Sequence, residues 1–252
     1  DPPADSVMIG KYLEIMKNNG IVWNRDRLKW GAIEKIRGKA DFNNRFGLYR
    51  RTAAVKHIKT LDVVHDAPTW TGAKLRIPKN DRIYDVYYPS NLYDYAQSFI
   101  RINREFEATQ KAFEVWNEPD IGFGNTFPPP YAVSLLKAFS RGAADAKLEL
   151  QVGGGAFATV SGGIHPYEFL NFDTYKNYIL NGLLDDADFV SHHFYRSVKD
   201  VERPFTRLRK LEKQYGGKRA GILTGSQNVA NHDYSMEIDV VNLARISIVQ
   251  QK

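Results

Sequence analysis

The chain has 252 residues, 43% of them hydrophobic and 25% charged, a balance that excludes a disordered chain and allows a sizeable core. Lysine plus arginine number 35 against 29 acids, and the net charge of +6 is scattered rather than gathered into the dense tract of a nucleic-acid arm. There is no cysteine, which excludes a disulfide scaffold, a thiolate metal site and a cysteine nucleophile.

Helical and strand-like stretches alternate along the chain. Ser6 to Asn19 reads as a helix ended by Gly20, and Ile21-Val22-Trp23 as a short apolar strand. Leu61 to Val64 reads as a second strand, bounded by Asp66 and Pro68. Leu92, Ala96, Phe99 and Ile100 fall at helical spacing, and Phe113 to Trp116 reads as the third strand. Tyr131, Leu135, Ala138 and Phe139 mark another helix. Leu148 to Val152 reads as a fourth strand, with Gly153-Gly154-Gly155 as its tight exit. A helix over Tyr175 to Leu184, a fifth strand at Phe189 to Ser191 and a helix over Arg207 to Tyr215 follow. Ile222 to Thr224 is a sixth strand, and Val240, Leu243, Ala244 and Ile248 mark a last helix with Ser235 as its N-cap.

Strand-helix alternation of this kind predicts an α/β fold with parallel strands. A doubly wound sheet usually carries a glycine fingerprint after its first strand, but here that strand leads into Asn24-Arg25-Asp26. The triple glycine lacks the G-x-G-x-x-G spacing, so it predicts no phosphate cradle. Polar and aromatic groups gather instead where strands end: His65, Asp66 and Trp70, then Asn117 and Glu118, then His192, His193 and Tyr195. In a (β/α)8 TIM-type barrel all those ends meet on the face that carries the active site. The expectation is one barrel domain over residues 1–252, with its first and eighth strands absent from the sequence and hence incomplete at both ends.

The sharpest feature is Trp116-Asn117-Glu118-Pro119-Asp120 at the end of an apolar strand. A carboxylic acid there, beside an amide and an indole, suits sugar chemistry. It can protonate a leaving glycosidic oxygen and then activate water. Trp116 either serves the sugar or packs in the barrel.

This run resembles the strand-four signature of the clan of retaining glycoside hydrolases built on the (β/α)8 barrel, family 39 and its relatives. Arg25-Asp26, Trp30, Glu34, Gly38 and Asp41-Phe42 resemble that clan's strand-two segment, and Ala67-Pro68-Thr69-Trp70 its strand-three exit. His193-Phe194-Tyr195 resembles its strand-six exit. The resemblance implies Glu118 as the general acid/base and Asn117 as a sugar ligand. It implies that Arg25 and Tyr195 hold the nucleophile, that His193 lines the site, and that Trp70 and Asp66 meet substrate. The clan's nucleophile is a glutamate at the end of strand seven, but that strand here reads Gly221-Ile222-Leu223-Thr224-Gly225-Ser226-Gln227. Gly225 stands at the nucleophile's position and has no oxygen with which to attack. Two explanations stand at this point: a glutamate-to-glycine change made to trap a ligand or build a glycosynthase, or a natural inactive relative.

The expected partner is an oligosaccharide or polysaccharide. No cofactor and no metal site is expected, because there is no His-Glu-x-x-His run and adjacent His192 and His193 cannot both face one ion from a strand. No nucleic acid and no membrane is expected, since no apolar run approaches the ~18 residues of a span. A secreted or periplasmic location is expected ahead of a cytoplasmic one. The rival reading is a carbohydrate-binding pseudoenzyme that uses the same cleft.

Overall fold

The computed structural model describes residues 5–79, 82–120, 128–157, 172–193, 198–215 and 222–226; at 65, 73–79, 82–86, 172, 193, 198–205 and 222–226 only the backbone is described. The last helix expected near Ser235 and the site residue Tyr195 lie outside these residues. The chain divides into two compact units, residues 1–117 with 134–152, and residues 118–133 with 153–252.

The first unit begins with helix α1 (Ser6–Asn18). Asp5 caps its start by accepting from the Val7 amide. Gly20, with φ of 71°, ends it, while the Ile21 amide reaches back to the Met16 carbonyl as in a Schellman motif. Strand β1 (Trp23–Lys29) follows and runs parallel to β2 (Lys59–His65), which in turn pairs in parallel with β5 (Gln110–Val115). Helices α2 (Trp30–Ile33) and α3 (Arg45–Val55) separate β1 from β2. Asn44 caps α3 through the amides of Phe46 and Gly47. Ile9, Leu13 and Met16 of α1 pack on Tyr49 and Ala53 of α3 and on Ile58.

The expected first strand is displaced. Ile21 and Val22 precede it and are exposed, and Asn24, Arg25 and Asp26 lie inside it rather than after it. β1 is polar on both faces, and each face finds a partner. Asp26 stands in register with Asp62 of β2, on the face that meets α3. There the fully buried Arg50 donates to both oxygens of Asp62 (2.8 and 2.7 Å) and, at 3.4 Å, to Asp26. Arg25 occupies the opposite face.

An antiparallel hairpin not foreseen from the sequence, β3 (Gly72–Lys79) with β4 (Arg82–Pro89), lies in the connection from β2 to helix α4 (Leu92–Phe106). Asn91 caps α4 at the amides of Tyr93 and Asp94. The buried face of α4 sets Tyr95 and Phe99 against Trp30, and Phe99 against Phe113 of β5. Helix α5 (Pro129–Asp145) adds Phe139, 4.5 Å from the Phe113 ring centre.

In the second unit, β6 (Gln151–Phe157) pairs in parallel with β7 (Phe189–His193), and β7 with β8 (Ile222–Ser226). Helices α6 (Phe172–Leu180) and α7 (Leu183–Asp186) join β6 to β7, and α8 (Val198–Tyr215) joins β7 to β8. The triple glycine is not a strand exit; it lies inside β6. The register to β7 slips there by one residue, from Gly153 opposite Phe189 to Ala156 opposite Ser191, and Gly155 sits at φ 92°. This is a bulge that needs a left-handed residue. A Cβ at Gly153 would strike the Phe189 ring, and one at Gly154 would lie 2.6 Å from Leu183 Cδ1. Two of the three glycines thus make room for a neighbouring side chain and the third supplies a left-handed backbone.

Candidate active site

The parallel registers align the strand ends. Val64 of β2 stands opposite Val115 of β5, and the Trp116 amide continues the ladder by donating to the Val64 carbonyl at 3.0 Å. The chain then departs from strand geometry. Trp116 has φ of 71° and Glu118 φ of 46°, left-handed values that cost a residue with a Cβ about 1–2 kcal/mol each. Glu118 is anchored there by its own amide, which donates to the Ala156 carbonyl of β6 at 2.8 Å. Its side chain is nearly covered, at 6% exposure. Trp116 is buried, so its indole packs inside the protein and is no open platform for a sugar.

On the face of β1 opposite the helices, Arg25 reaches over β2. Its Nε and Nη2 donate to Glu114 Oε2 of β5, at 2.9 and 2.7 Å, and Nη2 also donates to Asn117 Oδ1 at 3.1 Å. Two expected site residues, Arg25 and Asn117, are therefore in contact. The third member, Glu114, was missed. It has no exposed surface and stands in the apolar run Phe-Glu-Val-Trp. The signal was its parity: in a strand it shares a face with residue 116, two places on.

Trp70 follows β2 on a short 3-10 turn (Thr69–Thr71). Its ring meets Trp30 edge-on at 5.4 Å and its Nε1 donates to the Glu34 carbonyl at 2.7 Å, leaving the indole half-buried. Asp66 is exposed at φ 61°, and its carbonyl accepts from the Gly31 amide. Glu34, one of the residues that carried the resemblance, is a fastener. Its carboxylate accepts from Trp30 Nε1 (3.1 Å), the Gly38 amide (2.6 Å) and Arg101 Nη2 (2.8 Å).

In the second unit, His193 is the last residue of β7, in register with Ser226, and Gly225 stands opposite His192. His192 is fully buried, its ring 4.8 Å from Tyr175 of α6 and 5.8 Å from Phe157. It faces the helical layer, against Tyr175 and Phe157. Asp120 is also buried, and burial together with that nearby carboxylate pushes the Tyr178 hydroxyl's pKa well above its usual value.

No family model and no curated protein matches the sequence. Solved structures do match the fold. A family 39 glycoside hydrolase from the gut symbiont Bacteroides cellulosilyticus superposes with a TM-score of 0.70 at 16% identity, over 99% of this chain and 52% of that one. The fold is α/β with parallel strands, of the (β/α)8-barrel type found in these structures. A glucosidase from Croceicoccus marinus matches with a TM-score of 0.62 at 18% identity, over 95% of this chain and 52% of that one. A family 30 endoxylanase from Clostridium papyrosolvens matches with a TM-score of 0.56 at 18% identity, over 85% and 51%. The chain thus spans about half the length of these structures. Among the described residues no helix is long and apolar enough to cross a membrane.

Proposed function

We propose that the chain is a glycoside hydrolase of the retaining class acting on β-linked oligo- or polysaccharides, in a form impaired by glycine at position 225. The observation that carries this reading is Glu118: a nearly covered carboxyl group in left-handed backbone just beyond strand β5. Backbone strain of this kind is kept where a side chain must be aimed. In the proposed reaction Glu118 protonates the leaving glycosidic oxygen, while a carboxylate on β8, roughly 5–5.5 Å away, attacks the anomeric carbon. Glu118 then takes a proton from water to release the sugar. Gly225 cannot attack, so binding survives and turnover is nearly lost. Asn117 and Arg25 are assigned to sugar hydroxyls, and Trp70, Asp66, His193 and Tyr195 are the further residues assigned to substrate. The sugar-cleaving activities named for the neighbouring folds support the substrate class.

A natural carbohydrate-binding pseudoenzyme is the second reading. The observation in its favour is that Arg25 already has a counter-ion in Glu114, so its charge is balanced within its own unit. The residue encoded at position 225 in the native gene separates the two: glutamate marks an altered enzyme, glycine a natural binder. Calorimetric titration with xylo-, cello- and galacto-oligosaccharides tests both against their shared premise. The unmodified chain should bind at least one of them and ignore an α-linked control; binding to none removes the sugar-binding reading altogether.

A further inference from the structure

We infer that Glu114 is a positioning residue whose task is to orient Asn117 through Arg25. The inference rests on the proposed sugar-binding reading of the strand ends. An asparagine amide can present either its oxygen or its nitrogen to a ligand, and only its hydrogen bonds decide which. Here the guanidinium settles the choice. Arg25 Nε and Nη2 both bind Glu114 Oε2, which fixes the plane of the group, and Nη2 then meets Asn117 Oδ1 at 3.1 Å. A guanidinium has no acceptor, so the amide's oxygen must be the atom that faces it. The amide nitrogen of Asn117, a residue only 1% exposed, is then turned away from the guanidinium, and a sugar oxygen that reached it would meet a donor.

Glu114 suits this task because it cannot relax. Its side chain has no exposed surface, whereas that of Arg25 keeps 23%. The anion is thus the fixed post and the cation the arm. Without the post, the long arginine side chain would regain its rotamers and turn its charge to water. Asn117 would lose the contact that defines its orientation.

The test reads the amide and the ligand separately. The Asn117 side-chain amide is followed by 1H–15N NMR, assigned by its disappearance in Asn117→Asp. In the unmodified protein it should be well dispersed and slow to exchange. Glu114→Gln should shift it toward a free amide and speed its exchange about tenfold or more. Affinity for the best-bound β-linked oligosaccharide should fall about tenfold, the scale of one lost polar contact, with no further loss when Asn117→Ala is added. Leaving Arg25 without its anion can cost the fold, so Arg25→Met combined with Glu114→Leu repeats the test without either charge; it too should release the amide. An amide unchanged in both variants, or affinity losses that multiply independently, overturns the positioning role. If the amide is released as expected but the unmodified protein binds no oligosaccharide, the positioning stands and the sugar-binding reading falls.

Discussion

Glu118 occupies backbone that favours glycine, and this gives a test free of any ligand. Glu118→Ala and Glu118→Gly remove the same carboxylate, but only glycine relieves φ of 46°. The glycine variant should be the more stable of the two by about 1 kcal/mol in urea denaturation, the reverse of the usual order. An alanine variant equal or superior to glycine would show that the left-handed geometry is not what constrains this position. At this scale the sequence was legible where chemistry and position coincided: the Asn-Glu-Pro run marked Asn117 and Glu118. Glu114 offered only its parity, because a lone acid in an apolar strand declares its task only when its partner, 89 residues away, is known.

Among the elements, β1 was misplaced by a few residues for a physical reason. The apolar run Ile21-Val22-Trp23 is the stronger strand signal in the sequence. The true strand, Trp-Asn-Arg-Asp-Arg-Leu-Lys, hides its charges by pairing them on both faces. The hairpin β3–β4 was missed for want of any expectation that strands would interrupt the alternation. β6 was cut short because three glycines read as a stop, although each has a packing or backbone duty inside the strand. Gly153→Ala should therefore destabilise by about 1–3 kcal/mol as an overpacking change. Combining it with Phe189→Leu, which clears the ring it strikes, should recover part of that loss. Strict additivity in thermal denaturation would contradict the contact.

Helix α8 holds the buried acid Glu212. Burial raises the pKa of Glu212 above the usual carboxylate value, although the Tyr175 hydroxyl (2.8 Å) and Arg209 (3.7 Å) pull it back in part. Below the ordinary glutamate pKa both folded and unfolded chains hold the proton, and no charge is buried. As the pH rises through the ordinary value toward the raised one, the unfolded chain releases its proton first, so folding stability falls. Above the raised value the loss is complete. Glu212→Gln keeps an acceptor for Tyr175 and removes the titration. Its melting temperature relative to the unmodified protein should therefore improve from pH 4 to pH 7. A gap that is constant or moves the other way would contradict the buried acid.

At the scale of the whole molecule, the alternation of parallel strands and helices was the most legible feature, because connection length and right-handed crossover leave few alternatives. The buried centre of the first unit was not legible. Arg50, Asp62 and Asp26 look like ordinary surface charges in sequence, yet Arg50 and Asp62 have no exposed surface. Arg50→Met leaves two carboxylates facing an apolar side chain and should cost about 3–5 kcal/mol by chemical denaturation. A loss below about 1 kcal/mol, the range of a surface pair, would mean that the network carries little of the fold.

The proposed enzyme has Glu118 as its acid and glycine at position 225, where its nucleophile would stand. The most direct measurement is the turnover of aryl β-glycosides by three proteins: the unmodified chain, Gly225→Glu, and Gly225→Glu with Glu118→Gln. A covalent route restored by Gly225→Glu should raise hydrolysis by orders of magnitude over the unmodified chain. For a substrate with a poor leaving group, adding Glu118→Gln should then lower it sharply, since that group needs the proton. A Gly225→Glu protein that stays inert on a broad panel of β-glycosides, while the unmodified chain binds a glycan, would contradict the enzyme and leave the binder.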